Sequence, residues 1–212
     1  MAETHEYRGE RIVIRNKGER CIHSRFCVLG RPDVFVPNVD GHWIRPDAQS
    51  ADAIAAQVTQ CPSGALLFER LDGGAQEQPP GVNTVRVWEN GPLAFHAELD
   101  VAGDKTTYRA TLCRCGQSKN KPYCDHSHVE AGFTATGEPE SRQSEPLSIR
   151  NGPLKVSPLK NGPLQVEGAI EICAASGRTI SRDTKAVLCR CGQSAKKPFC
   201  DGTHKKIGFV AD

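Results

Sequence analysis

Residues 113–128 read CRCGQSKNKPYCDHSH, and residues 189–204 read CRCGQSAKKPFCDGTH. Near-repetition of so long a segment constrains the fold more than any other feature of the chain. Cys113, Cys115, Cys124, His128, Gly132 and Phe133 recur 76 positions later as Cys189, Cys191, Cys200, His204, Gly208 and Phe209. Upstream, NGPL at 90–93 recurs at 161–164, and a third NGPL at 151–154 reads as an extra segment or a partial duplication. Asn-Gly-Pro suits a turn that enters a strand. Segments 84–88, 93–99, 106–112, 164–172 and 179–188 read as short strands. Two copies of one β-rich unit usually coexist because each buries a face against the other.

Composition narrows the options. Only 38% of the 212 residues are hydrophobic, with 14 Pro and 20 Gly, so small loop-rich units are expected rather than one large continuous core. Twenty-seven basic and 25 acidic residues leave a net charge of +2, which argues against nucleic-acid binding by bulk electrostatics. No run approaches the ~20 apolar residues of a membrane span, and MAETHEYRGERIVIRNKGE has no signal-peptide core. A soluble cytoplasmic protein is therefore expected, without membrane or nucleic-acid partners. In that compartment thiols stay reduced, and clustered cysteines mean metal. No Ser/His/Asp, phosphate-loop or dinucleotide pattern is present, so the expectation is a protein that is not an enzyme.

Residues i and i+2 of an extended backbone point to the same side. Cys113 and Cys115 can thus aim two thiolates at one metal, as can Cys189 and Cys191. Cys124 and His128, like Cys200 and His204, are spaced i, i+4 and would share one face of a helical turn. His126 would be turned roughly 200° around that helix, at about 100° per residue, which favours His128 as the ligand. Asp125 and Asp201 are suited to start the turn. Two donor pairs per copy fit two irons bridged by two sulfides. A Cys₃His zinc site is the alternative, although zinc knuckles favour C-x₂-C.

The pattern C-x-C-x₂-S-x₃-P-x-C-D-G-T-H at 189–204 resembles the CDGSH iron–sulfur motif of the mitoNEET-like (NEET) proteins. The first copy departs once, with His126 where the family has Gly. The resemblance spans about residues 82–212. It implies one [2Fe–2S] cluster per copy, with Cys113 and Cys115 on the inner iron and Cys124 and His128 on the outer. The second set follows as Cys189, Cys191, Cys200 and His204. Single-motif members form intertwined homodimers, so a tandem chain looks like that dimer fused: repeats 82–137 and 147–212 packed as an intramolecular pseudo-dimer, within a monomer. One imidazole per cluster places the potential between plant-type ferredoxins, near −400 mV, and Rieske centres, at about −150 to +300 mV.

Residues 1–76 differ. CIHSRFC at 21–27 and CPSGAL at 61–66 match the offsets of single-cluster ferredoxins, with Ser24 where the second cysteine would stand. VFV at 34–36 reads as a strand, 50–60 as a helix capped by Asp47 or Ser50, and ALLFERL at 65–71 as a closing strand. The segment resembles the divergent ferredoxin-like α+β domain found beside CDGSH repeats, so the overall class is small, β-rich α+β. Cys21, Cys27 and Cys61 are its candidate ligands. Three thiolates suit [3Fe–4S]; [4Fe–4S] would need His23 or Ser24 as the fourth ligand; zinc on Cys21, His23, Cys27 and Cys61 is chemically allowed.

GGAQEQPPG at 73–81 and EPESRQSEP at 138–146 read as linkers. Cys173 reads as a buried small hydrophobe, and His5, His42 and His96 as solvated or structural. Segment 189–209 carries five basic residues against one acidic, usually a solvated face but one able to steer an acidic redox partner. The functional expectation is electron transfer with redox proteins. The alternatives are cluster donation to apo acceptors or redox sensing, and a zinc-stapled interaction module.

Overall fold

The structure, a computed structural model, describes residues 4–211. The chain divides into two compact units, one ending at Gln78 and one beginning at Pro79. The first mixes a small sheet with short helices in similar measure and the second is dominated by β-strands, together an α+β class.

In the first unit, β1 (His5–Arg8), β2 (Ile12–Asn16) and β3 (Leu66–Arg70) form an antiparallel sheet in that order. Between β2 and β3 lie α1 (Phe26–Gly30) and α2 (Ala51–Val58). Ser50 caps α2 by accepting from the Ala53 amide at 3.3 Å. The helix buries Ile54 and Val58 against Ile12, Ile14 and Leu66. VFV does not form a strand: Phe35 makes only an isolated bridge with Ile44. Two backbone bonds flank that bridge, from the Val36 amide to the Trp43 carbonyl and from the Arg45 amide to the Val34 carbonyl, both at 2.8 Å, and burial of Val34 and Phe35 in this core anchors the segment.

In the second unit the strands are β4 (Thr84–Val87), β5 (Leu93–His96), β6 (Glu98–Val101), β7 (Arg109–Leu112), β8 (Pro153–Pro158), β9 (Leu164–Cys173) and β10 (Thr179–Leu188). Single helical turns α3 (Ser127–Glu130) and α4 (Thr203–Lys206) follow β7 and β10. β4 pairs antiparallel with β5, and β5 with β7; β8 pairs antiparallel with β9, and β9 with β10. The cross-copy pairs are reciprocal. β4 lies parallel to the far half of β9 (Thr84 opposite Glu171), and β8 lies parallel to β6 (Glu98 opposite Pro153). The third NGPL is therefore the entry to β8, the second copy's counterpart of β4, and not a surplus insertion.

Interleaving has a consequence that composition did not suggest. Val85, Phe95, Leu99 and Leu112 from the first copy join Leu154, Val166, Ile172 and Leu188 from the second in one continuous core. Buried Asn83 ties the copies further: its amide nitrogen donates to the Gly152 and Ala169 carbonyls at 2.8 and 3.0 Å. Cys173 is buried at the end of β9. The join at 138–146 is held to β10, with the Arg142 amide donating to the Ile180 carbonyl at 2.7 Å.

A chain ending at residue 140 would strip β4 and β6 of their parallel partners. It is expected to dimerise or to remain unfolded, as read by light scattering after size exclusion and by circular dichroism. A stable, well-folded monomer of that fragment would contradict a shared core.

Candidate iron–sulfur sites

Each motif loop begins where a strand ends. The Cys113 amide donates to the Pro122 carbonyl at 2.8 Å, and the Cys124 amide to the Thr111 carbonyl at 2.9 Å. The second loop repeats both bonds, from Cys189 to Pro198 and from Cys200 to Val187. Ser118 Oγ donates to the Tyr123 carbonyl at 2.6 Å, and Ser194 Oγ to the Phe199 carbonyl at 2.7 Å. Asp125 accepts from the Ser127 and Lys119 amides, and Asp201 from those of Thr203 and Ala195. These bonds close the loops around the donor atoms.

The sulfurs of Cys113 and Cys115 stand 3.7 Å apart, as do those of Cys189 and Cys191. That is far beyond a disulfide bond of about 2.05 Å. It matches the roughly 3.7 Å between two thiolates on one tetrahedral metal with bonds of about 2.3 Å. Cys124 Sγ lies 3.4 Å from His128 Nδ1, and Cys200 Sγ 3.3 Å from His204 Nδ1. Each copy thus presents a Cys–Cys pair and a Cys–His pair. Among the described residues, no three His, Cys, Asp or Glu side chains converge on a point that would hold one ion.

The route to the Cys–His pair differs from a shared helical face. Cys124 precedes α3, which starts at Ser127, and His126 at φ 74° turns the chain through the left-handed region between them. Gly202 does the same at φ 86°. A Cβ at Gly202 would meet nothing within 4 Å, which is why the first copy can carry a histidine there. The His126 ring packs edge-on against His128, with centroids 5.1 Å apart. His128 Nδ1 is the atom facing the Cys124 sulfur.

Burial pushes the Cys124 thiol up to about 12. Cys113 and Cys115 share a proton: the bond from Cys115 favours thiolate at Cys113, while Cys115 holds its own proton well above the usual range. His128 is lowered by desolvation and by neighbouring His126. A site such as this first one, which resists a second thiolate but keeps its imidazole neutral, is suited to a metal cation that displaces protons.

Two arginines that composition and spacing did not single out bind the motifs to their frames. Arg114 and Arg190, the residues between the paired cysteines, are each 1% exposed. Arg114 Nε donates to the Gly91 carbonyl at 2.8 Å, and Arg190 Nε to that of Gly162 at 2.9 Å, so each reaches its own NGPL turn. The asparagines of those turns clamp the tails: Asn90 Oδ1 accepts from Ala135 and Asn161 Oδ1 from Ala211, both at 2.9 Å. Burial lowers Arg114 to about 10, a guanidinium that stays charged at neutral pH. Identity of Arg in both CRC copies was the available signal.

The loops also meet each other. A Cβ at Gly116 would lie 2.7 Å from the Cys191 carbonyl oxygen, and one at Gly192 would lie 2.5 Å from that of Cys115. Both glycines have φ near +84°, so conformation and contact require Gly together.

The family model described as iron-binding zinc finger CDGSH type matches residues 87–129 and 161–205. A second, described as divergent 4Fe-4S mono-cluster, matches residues 7–70. The chain is a tandem CDGSH protein. It is an iron–sulfur protein, with a divergent 4Fe-4S mono-cluster domain before the CDGSH repeats. A search of curated proteins finds no match.

In that first domain, Cys21, Cys27 and Cys61 line a cavity of about 480 Å³ together with Ser24, Trp43 and Ser63. His23 also lines it but is largely solvent-exposed. His23 and Arg25 both have positive φ, which curls the loop, and the nearby amides of His23 and Val28 favour thiolate at Cys21 and Cys27 respectively. Burial raises both thiols, and each feels the charge of Cys61.

Ala in place of Gly192 is expected to destabilise the second unit by at least about 1 kcal/mol from the left-handed backbone alone, with the carbonyl contact adding to it. Thermal unfolding reads this out, and an unchanged midpoint would remove the loop contact from consideration. His128→Ala should bleach visible absorbance from one CDGSH site, whereas His126→Gly should keep both. Loss on His126→Gly with retention on His128→Ala would reverse the ligand assignment.

Proposed function

We propose that the protein carries two [2Fe–2S] clusters and a third cluster of three or four irons, and that it transfers electrons without acting as an enzyme. Cys113, Cys115, Cys124 and His128 would hold the first, and Cys189, Cys191, Cys200 and His204 the second. Cys21, Cys27 and Cys61 would hold the third, in a ferredoxin-like setting. Clusters of this kind supply one-electron exchange at potentials tuned by ligand charge and burial.

The observation that carries the reading is the arrangement of donors in two separate pairs within each loop. A lone zinc would require four donors around one point. The chain's own residues do the rest. Buried Arg114 and Arg190 bring positive charge beside the paired thiolates, which favours an added electron. Reciprocal packing of Gly116 and Gly192 on the cysteine carbonyls brings the two loops into backbone contact, a short path between the sites. The reciprocal strand pairs and shared core support a pseudo-twofold pair that does in one chain what two single-motif chains do as a dimer.

Cluster donation is the second reading, favoured by the partial exposure of His128 and His204. An imidazole that gains a proton leaves its metal, so the clusters should be lost as pH falls.

Iron, sulfide and zinc analysis with EPR of the anaerobically purified protein is the decisive measurement. Seven or eight irons with two separable [2Fe–2S] signals are expected, and stoichiometric zinc with no sulfide would overturn the proposal. His204→Cys should slow decay of cluster absorbance at about pH 6 severalfold, because a thiolate replaces the ligand that protonation detaches. Equal decay in mutant and wild type would exclude His204 as the labile ligand. Rapid reduction by a flavoprotein with slow transfer to apo-ferredoxin favours the electron carrier over the donor.

A further inference from the structure

The two motif faces share a backbone plan but not a charge. Lys197 and Lys121 occupy equivalent places, and each donates Nζ to a loop carbonyl, of Ser194 and Ser118 respectively, at 2.5 Å. They are part of the loops. The remaining positions diverge. Around His204 stand exposed Lys196, Lys205 and Lys206, whereas the first copy has Asn120, Val129 and Glu130 at those positions. Lys119 is the first copy's basic residue in exchange, opposite Ala195.

The acids near the second motif do little to offset this. Asp201, held ionised by the Thr203 and Ala195 amides, and Glu140 in the adjoining cleft set two negative charges against the five positive ones of Lys196, Lys197, Lys205, Lys206 and Arg142. That cleft, about 390 Å³, runs between the 136–142 segment and Lys196, Lys197 and Phe199. It adds exposed Arg142, whose guanidinium stacks 3.3 Å from the Phe199 ring centroid. Beside the lysines, Ile207 is 48% and Val210 77% exposed. Exposed apolar side chains next to flexible cations are suited to fast, short-lived association with an anionic protein surface.

We propose that the face around His204 is a docking surface for an acidic redox protein, and that the equivalent face around His128 is not. The inference rests on the electron-transfer reading and adds to it a direction: partner contact at the second motif. Lysines at the rim act on encounter, so their effect is on association rate and its salt dependence.

The test uses the full cluster-loaded chain and a flavodoxin, chosen for its acidic surface. Stopped-flow rates of cluster reduction by reduced flavodoxin should fall at least about tenfold between ~20 and ~200 mM salt. The variant K196E/K205E/K206E should cut the low-salt rate by at least about tenfold and remove its salt dependence. The variant K119E/N120E/V129E, at the first motif, should change it less than about twofold. Visible absorbance establishes that both variants are loaded. Equal slowing in both variants, or rates insensitive to salt, would overturn the proposal. Calorimetric binding of oxidised flavodoxin separates docking from electron flow. Binding lost only in K196E/K205E/K206E, with clusters that accept no electron from flavodoxin, would refute the electron-transfer reading and uphold the docking surface. Unchanged binding in that variant would overturn the surface whatever the clusters do. Tighter binding of duplex DNA or anionic lipid vesicles than of flavodoxin, lost in the same variant, would assign the patch to those anions and overturn a protein partner.

Discussion

The backbone contact between the two motif loops is the constraint around which the C-terminal unit is organised. Gly116 lies against the Cys191 carbonyl and Gly192 against that of Cys115, at distances that leave no room for a side chain on either. Such a contact needs both loops held rigidly from behind. The buried arginines provide this by reaching from the centre of each Cys-x-Cys to the carbonyl of its own NGPL turn. The same turns hold the tails through Asn90 and Asn161. Motif, turn and tail are thus one mechanical piece: motif and tail recur 76 positions on (Cys113 and Cys189, Ala135 and Ala211) and the turn 71 positions on (Asn90 and Asn161), so the copies differ in length only between turn and motif.

Placing a full cation beside buried sulfur also has an electrostatic meaning. Arg114 is held by backbone carbonyls of Gly91, Trp88, Ala135 and Thr136, so its charge is spread over neutral dipoles. Thiolates close by gain from that charge, and burial amplifies the gain because solvent cannot screen it. The Cys124 thiol, pushed up to about 12, shows the opposing cost of an anion in the same environment. A metal centre resolves the tension by replacing protons with positive charge. The N-terminal domain reaches a similar end differently, with an irregular loop whose amides favour thiolate at Cys21 and Cys27 beside a cavity far larger than a single ion.

Asymmetry enters only where packing does not forbid it. Most positions inside the loops are identical between copies, and the arginines, serines, aspartates and first glycines among them are committed to a hydrogen bond or a close contact. Gly202 faces open space and its counterpart is His126; Lys205 and Lys206 face solvent and their counterparts are Val129 and Glu130. The two motif loops can in this way carry different surfaces without disturbing the shared core.

By itself the sequence determined the local chemistry: which cysteines and histidines form sets, the turns at NGPL, the Ser50-capped helix, and most strands of the repeats. These are short-range properties, set by residue type and spacing of two to four positions. It did not reveal β1, β2 or β8: β2 and β8 take partners far along the chain, β3 and β6, and β1 is recruited as the edge strand beside β2; nor did it reveal that the pairing of Phe35 stops at a single bridge. It misjudged the path from Cys124 to His128, since a left-handed residue at 126 replaces the expected helical turn while delivering the same two atoms. That the two copies would bury a face against each other was an expectation of the repeat itself; the reciprocal strand pairs that interleave them, the roles of Arg114 and Arg190, and the contact between the loops were decided by tertiary structure alone. Each depends on groups distant in sequence meeting at hydrogen-bond or van der Waals distance, and no local periodicity encodes such a meeting.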